Sequence, residues 1–173
     1  SFNASKEKFL TKRSEFLMDG RDIPKQLLKK ELTDTTFDHK IILGQAEVGE
    51  EIGALFDVNP IYYDLDKSTI RPDAAVELDK IVQVLKDNPD ISIELGSHTD
   101  ARASASYNMK LSQRRAESAV KYIIEHGIEA ARIKAKGYGE TQLINGCSDG
   151  VDCSEEAHQE NRRTEFKITD LND

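Results

Sequence analysis

The chain has 173 residues, 38% hydrophobic and 32% charged, which is typical of a folded domain rather than a disordered or fibrous chain. Its 24 basic and 32 acidic residues give a net charge of −8, and no basic stripe favours nucleic acid as a partner. No apolar run approaches the roughly 20 residues that cross a bilayer, so we expect no membrane span. The N-terminus lacks the apolar stretch of a targeting segment, and we expect any such segment to lie outside this sequence.

The first part of the chain contains short β-prone pieces, "KFLTKRSEFL" (8–17) and "FDHKIILGQAEVG" (37–49), between polar links. The leucines of "PKQLLKKEL" (24–32) have a loosely helical spacing, so a helical turn is an alternative there. We interpret residues 1–50 as the C-terminal part of a β-rich domain with its linker, and residues 51–173 as a second domain.

Strand and helix patterns alternate in the second part. "PIYYDLD" (60–66) predicts a short strand, and the next pattern predicts a helix that begins near Pro72 and stops at Asn88. "ISIELGS" (91–97) alternates in the manner of a strand with one buried face.

A second helix is predicted from about Tyr107 to His126, with Gly127 just after its end. "ARIKAKGYG" (131–139) and "RTEFKIT" (163–169) then predict two further strands. This order predicts an α/β (α+β) two-layer sandwich, a βαβαβ-type mixed sheet with helices packed on one face, preceded by a short β-rich segment.

A polar stretch separates the "ISIELGS" strand from the second helix, with Asp100 just past the strand and two arginines inside the helix. Projection at helical spacing places Arg115 at the edge of the buried face, in one row with Leu111 and Ala119. Arg114 falls on the solvent-facing side of the helix. A guanidinium keeps its charge, so an inward position requires a carboxylate or a ligand that supplies one. Ligands of open α/β sheets gather past the strand ends, where Asp100 lies.

Two interpretations of this pair stay open. Spacing alone favours a structural salt bridge between Asp100 and Arg115 that fastens the loop to the helix. In the second interpretation the two groups are held apart, one for a cation and the other for an anion. A zwitterionic amino acid would satisfy both at once.

Cys147 and Cys153 are the two cysteines of the chain, and they bracket the turn-rich segment "SDGVD". A local disulfide is the simplest interpretation, and closing so short a loop contributes about 2 kcal/mol in the chain-entropy model. It would indicate an oxidising compartment such as a periplasm. Two unpaired thiols are the alternative.

Five motifs then resemble, in order and spacing, the OmpA C-terminal-like (OmpA/Pal/MotB-type) peptidoglycan-binding domain. They are "IYYDLDKSTIRPDA", "HTD", "YNMKLSQRRA", "GYGE" and "ENRRTEF", and the match covers about residues 59–168. The resemblance implies a domain that binds the peptide stem of peptidoglycan non-covalently and grips its meso-diaminopimelate. It also implies a periplasmic location associated with the outer membrane.

The resemblance further implies which residues bind. Asp100 of "HTD" would take the ammonium of the diaminopimelate, and Arg115 of "LSQRRA" would take its carboxylate. One arginine of "ENRR" would contribute. We assign Arg162, with Arg163 structural, but the sequence leaves open which of the two faces the ligand. The full candidate ligand-binding set is Asp64, Thr99, Asp100, Asn108, Leu111, Arg115 and Arg162.

This chain departs from the family pattern at two positions and in one loop. The family usually has glycine before "HTD" and three positions after its Asp, where this chain has Ser97 and Ala103. If either position required a positive φ, the replacement would cost roughly 1 kcal/mol and redirect the loop "ARASAS". An insertion, "NGCSDGVDCSEEAHQ" (145–159), precedes the last strand.

Other chemistries have less support. His98 and Asp100 lack a third ligand at a recognisable spacing, so a hydrogen-bonding role for His98 is favoured over a metal site. Asp149 and Asp152 lack the calcium-loop pattern. A muramidase would need a second acid opposite Asp100, and no nucleophile arrangement is present. We therefore expect no enzyme activity, no metal and no cofactor.

Besides a binding domain and an enzyme, a third functional class is the same fold acting as the wall anchor of a membrane stator or secretion machine. Its partners would be outer-membrane or secretion-machinery proteins, reached through the region that precedes residue 1. What precedes residue 1 would discriminate between these classes, so this assignment rests on analogy.

Overall fold

The computed structural model of the protein describes residues 2–6, 9–14 and 46–171. The chain divides into two units, Ser1–Gln45 and Ala46–Asp173. Our assignment of residues 1–50 to a β-rich domain stays a prediction.

In the first unit, β1 (Phe2–Lys6) pairs antiparallel with β2 (Phe9–Ser14). β2 lies within the β-prone piece 8–17, whereas β1 precedes it. The predicted helical turn 24–32 and most of the β-prone piece 37–49 lie outside the described residues.

The second unit contains four helices, four strands and a short 3₁₀ turn among its described residues. In chain order they are α1 (Ile52–Phe56), β3 (Ile61–Tyr62), α2 (Pro72–Asp87), β4 (Ile91–His98), α3 (Ala105–Glu125), the 3₁₀ turn (Ala130–Arg132), β5 (Ile133–Gly139), α4 (Glu155–Asn161) and β6 (Arg163–Leu171). Within the described residues, no helix has the length and apolar character needed to cross a membrane.

The four strands of this unit form one mixed sheet in the order β3-β6-β4-β5. β4 and β5 run parallel, whereas β6 is antiparallel to both of its neighbours, β3 and β4. The helices pack against this sheet, which confirms the predicted fold class. The core consists mainly of aliphatic side chains from the strands, α2 and α3: Ile61, Leu78, Ile81, Leu85, Ile91, Ile93, Leu95, Ala116, Ala119, Ile123, Phe166 and Ile168.

Local signals explain where the two long helices begin and end. Pro72 occupies the first turn of α2, where its missing N–H costs no hydrogen bond. At α3, the Ser104 side chain caps the helix by accepting a hydrogen bond from the Tyr107 backbone N–H. Gly127 follows α3 with φ of +93°, a conformation that glycine adopts without steric cost.

The first strand of the sheet is shorter than the sequence predicts. β3 ends at Tyr62, and the chain then turns, with the Lys67 N–H donating to the Asp64 carbonyl at 3.2 Å. Asp66 adopts a left-handed backbone conformation with φ of 59°, which aspartate tolerates better than most residues. The segment after β3 is therefore a loop, and it passes close to α3.

α3 and β5 approach each other closely at Gly137. A Cβ atom at this position would lie 2.4 Å from the Gln113 backbone nitrogen and 2.6 Å from the Ser112 Oγ. The Gln113 side chain accepts a hydrogen bond from the Gly137 N–H at 2.8 Å. The absence of a side chain at Gly137 thus sets how near α3 lies to the sheet.

We expect Gly137→Ala to lower the free energy of unfolding by about 1–3 kcal/mol, because the added methyl group forces α3 away from β5. Urea denaturation measures this loss. Gly146→Ala is the matched control, because a Cβ at Gly146 would meet no atom within 4 Å. Equal losses in the two variants would contradict the close-packing explanation.

Candidate functional site

A cleft of about 350 Å³ opens beyond the end of β4, beside the first turns of α3. The loop after β3 forms one wall and the loop between β4 and α3 forms another. The cleft is lined by Leu65, Asp66, Thr99, Asp100, Arg102, Ala103, Tyr107, Asn108, Leu111, Arg115 and Arg162. Six of the seven predicted ligand-binding residues therefore border one cavity, and Asp64 does not.

Arg115 is fully buried at the base of this cleft, whereas its neighbour Arg114 is exposed. Its guanidinium donates to three backbone carbonyls: Nε to Lys67 at 2.9 Å, Nη2 to Asp64 at 3.2 Å and Nη1 to His98 at 3.4 Å. Three of the five guanidinium N–H groups are thereby used, which leaves donors for a ligand. The side chain also ties the loop after β3 to the end of β4.

The electrostatic surroundings of Arg115 include the Asp66 and Asp100 carboxylates at longer range, but neither of them bonds to it. Burial lowers the pKa of Arg115 to about 10, so the group stays cationic at neutral pH. The ring of Tyr63 lies beneath it, 5.0 Å from the guanidinium carbon to the ring centroid. Within residues 46–171, no carboxylate forms a salt bridge with Arg115. A buried cation of this kind is stabilised by an anionic ligand.

Asp100 lies across the same cleft, with a side chain that is 9% exposed. Its Oδ2 accepts hydrogen bonds from Arg102 Nη2 at 2.7 Å and from Arg162 Nη1 at 2.8 Å. Burial alone would raise the pKa of Asp100, but the hydrogen bonds from Arg102 and Arg162 outweigh it and lower the pKa. Asp100 is therefore a carboxylate at neutral pH.

The salt bridge that spacing alone favours is absent. Asp100 bonds to Arg102 and Arg162, and Arg115 bonds to backbone carbonyls, so these two side chains do not contact each other. Of the two interpretations that the sequence left open, the structural salt bridge is therefore wrong, because α3 directs Arg115 toward the loop after β3. One anion and one cation thus face a shared cavity.

The other predicted residues on this side of the sheet have separate positions. Thr99 is buried, and its Oγ1 has no hydrogen-bond partner. Asn108 donates to the backbone carbonyls of Asp100 and Ala103 at 3.1 Å and 3.2 Å, and it also donates to the Glu140 carboxylate. It therefore fixes the loop that carries Asp100.

Asp64, Arg162 and Arg163 have different surroundings, and of the three only Arg162 lines the cleft. The Asp64 carboxylate pairs at the surface with Lys67 at 3.3 Å, and the Asp64 carbonyl holds Arg115. Arg162 contacts Asp100 in the cleft. Arg163 instead donates to Glu165 at 2.6 Å, on the neighbouring part of β6.

Five lining residues lie outside the set that the sequence suggested: Leu65, Asp66, Arg102, Ala103 and Tyr107. The Tyr107 hydroxyl donates to the Asp66 carboxylate and so joins the first turn of α3 to the loop after β3. Asp66 and Tyr107 belong to motifs that carried the resemblance, and Arg102 follows Asp100 by two positions. Proximity to those motifs was the available signal, but it could not show which side chains turn inward.

Neither departure from glycine strains the backbone. Within the described residues, the non-glycine residues with positive φ are Asp57 and Asp66, so Ser97 and Ala103 adopt ordinary conformations. The Ser97 hydroxyl is buried and hydrogen-bonds to the Thr164 hydroxyl at 2.5 Å. The cost expected for these two positions does not arise.

The insertion before β6 contains a disulfide between Cys147 and Cys153. The residue after Cys153, Ser154, caps α4 by accepting a hydrogen bond from the Ala157 N–H. The disulfide loop therefore leads directly into the helix that precedes Arg162.

His98 faces away from the cleft. Its ring stacks on Tyr138 with centroids 5.1 Å apart, and its Nε2 lies 3.5 Å from a Glu165 carboxylate oxygen. Within residues 46–171 no group of three or more histidine, cysteine or acidic side chains is placed to hold a metal ion. His98 contributes to the structure at the end of β4.

The chain is similar to one protein family and to several curated proteins. The model of the OmpA family matches residues 62–157. The probable lipoprotein YiaD of Escherichia coli K12 is 31% identical over 113 residues, which are 65% of this chain and 49% of that protein. The peptidoglycan-associated lipoprotein of Brucella melitensis is 32% identical over 120 residues, 69% of this chain and 71% of that protein.

Solved structures agree on the fold. The peptidoglycan-associated lipoprotein from Burkholderia pseudomallei superimposes with a TM-score of 0.58 at 24% identity, over 64% of this chain and 89% of that chain. Several curated relatives are much longer than this chain, which spans 12%, 35% and 49% of the length of three of them.

We expect Glu165 to make the stability of the domain depend on pH. The hydrogen bond from His98 is the main cause that lowers the pKa of Glu165 from 4.5 to about 2. As the pH falls, the Glu165 carboxylate is therefore protonated in the unfolded chain before it is protonated in the folded protein. The stabilisation is complete above about pH 4.5 and is lost as the pH falls toward 2. Because Glu165 is partly exposed, the loss is on the order of 1 kcal/mol.

Urea denaturation of the wild type and of Glu165→Gln, across this pH range, measures the effect. The wild type should be the more stable protein near neutral pH, and the difference should shrink in acid. A difference that does not change with pH would contradict this role of Glu165.

Proposed function

Because the chain belongs to the OmpA family, we propose that it binds peptidoglycan by holding the meso-diaminopimelate of the stem peptide between Asp100 and Arg115. The observation that carries this proposal is that the two charged groups line one cleft without contacting each other. Asp100 keeps accepting capacity on Oδ1 and Arg115 keeps unused N–H donors, so the two groups suit a ligand that carries both charges.

The ligand's two charged groups have matching partners. The ammonium group of diaminopimelate would bind the Asp100 carboxylate, and the adjacent carboxylate would bind the Arg115 guanidinium. The apolar side chains of Leu65, Tyr107 and Leu111 line the same cleft and would contact the methylene chain between the two ends of the amino acid. Because Arg115 and Asp100 are held in place by other parts of the protein, binding would cost little ordering entropy.

The relatives support a role at the cell wall. The matched Brucella protein carries the name peptidoglycan-associated lipoprotein, and other matches are outer membrane porins of Pseudomonas. We place this domain in the periplasm, associated with the outer membrane, as a non-covalent anchor to peptidoglycan. The OmpA family is non-enzymatic, and the domain would act by binding alone.

The secretion-machine alternative has one specific observation in its favour. The cell wall anchor of a Pseudomonas aeruginosa type VI secretion system shares the fold with a TM-score of 0.52 at 24% identity. The same cleft would serve either role, since both require only non-covalent binding to peptidoglycan.

Asp100→Asn should weaken binding to a meso-diaminopimelate stem peptide roughly ten- to hundredfold, because a charge-assisted hydrogen bond to the ammonium is lost. Calorimetry with the soluble peptide and co-sedimentation with insoluble peptidoglycan both measure this. Asp149→Asn removes the same charge from an exposed loop position and is the matched control. Unchanged binding by Asp100→Asn would overturn the site assignment.

Changing the diamino acid of the stem peptide tests separately whether Arg115 binds the ligand carboxylate. A stem peptide with lysine in place of diaminopimelate lacks the side-chain carboxylate, so its affinity should be lower by about 1.5–3 kcal/mol. Competition between the two peptides for the wild-type protein measures the difference. Equal affinities would show that Arg115 does not bind the ligand carboxylate.

A further inference from the structure

Asp100 belongs to a network of four ionised side chains that come from three parts of the chain. Arg102 lies in the same loop, Arg162 precedes β6, and Glu155 is the first residue of α4. Glu155 accepts from Arg102 Nη1 at 2.7 Å and from Arg162 Nη2 at 2.6 Å. It therefore bridges both arginines that contact Asp100.

The two oxygens of the Asp100 carboxylate are used unequally. Oδ2 accepts from Arg102 Nη2 at 2.7 Å, from Arg102 Nε at 3.1 Å and from Arg162 Nη1 at 2.8 Å. Oδ1 accepts from the Arg102 backbone N–H alone, at 3.4 Å. Because each carboxylate oxygen offers two lone pairs, Oδ1 retains the capacity to accept a strong hydrogen bond.

Glu155 also balances the charge of this network. Arg102 and Arg162 carry two positive charges, and Asp100 and Glu155 carry two negative charges. Hydrogen bonds from Arg102 and Arg162 lower the pKa of Glu155, which keeps it ionised at neutral pH. Without Glu155, the arginines would leave a surplus positive charge beside Asp100. Arg102 would also lose the carboxylate that holds it away from Oδ1, whereas Arg162 would keep its hydrogen bond to Gln159 at 2.5 Å.

We propose that Glu155 is a positioning residue of the binding site, which holds Arg102 and Arg162 on Oδ2 and so keeps Oδ1 open for the ammonium of the ligand. This inference rests on the proposed function of the cleft. Glu155 lies two residues after Cys153, so the disulfide-closed insertion would support the site rather than only the fold.

The test compares two ligands: a stem peptide with free meso-diaminopimelate, and the same peptide with the side-chain amine acetylated. Glu155→Gln should weaken binding of the free-amine peptide roughly three- to tenfold at low salt, because the surplus positive charge repels the ammonium. Binding of the acetylated peptide should not change. The loss should shrink at high salt, where charges at the surface are screened.

Two variants keep the comparison matched. Glu156→Gln removes the same charge from the same exposed helical turn and should leave both affinities unchanged. Glu155→Asp keeps the charge and should restore much of the preference for the free amine. The Glu155 side chain is 58% exposed, so we expect all three variants to fold, and thermal melts check this.

Glu155→Gln with unchanged affinity for the free-amine peptide would overturn the inference, as would equal losses for both peptides. Failure of the proposed function has a different signature. In that case the wild-type protein itself would not prefer the free amine over the acetylated peptide.

Discussion

The site depends on a buried arginine that has no bonded acidic partner among residues 46–171. Arg115 is fully buried and remains cationic, yet its hydrogen bonds go to backbone carbonyls of three separate residues. Carbonyl dipoles hold the guanidinium in place without neutralising it. The protein thereby retains a positive charge in a position where an anion would be strongly attracted.

This arrangement makes the fold and the site inseparable. The carbonyls that hold Arg115 belong to the loop after β3 and to the end of β4, while the side chain itself comes from α3. The Tyr63 ring lies against the Arg115 guanidinium, and the Tyr63 hydroxyl donates to the Arg115 backbone carbonyl at 3.1 Å. Arg115 therefore joins three elements around the base of the cleft, and its loss would affect both stability and binding.

Asp100 differs from Arg115 because its buried charge is paired with side chains of opposite charge. Its carboxylate is neutralised by two arginines on one oxygen, whereas the second oxygen keeps most of its accepting capacity. The cleft thus combines an uncompensated cation at its base with a compensated but accessible anion at its wall. The base and the wall of the cleft thus present charges of opposite sign, which suits a ligand that carries one charge of each sign.

The sequence by itself determined the fold class, the two long helices and the inward position of Arg115, because these follow from local periodicity, capping and helical projection. It also pointed to Cys147 and Cys153 as a local pair. Periodicity could not show that the chain turns directly after Tyr62, because that turn depends on a left-handed Asp66 and on contacts with α3.

Only the tertiary structure decided the partners of the charged groups. Spacing favoured a bond between Asp100 and Arg115, but the direction of a side chain depends on which distant residues surround it. Arg162 lies 62 positions from Asp100, and Glu155 lies 53 positions from Arg102. Contacts over such distances are set by the packing of the whole sheet, so no local pattern in the chain could reveal them.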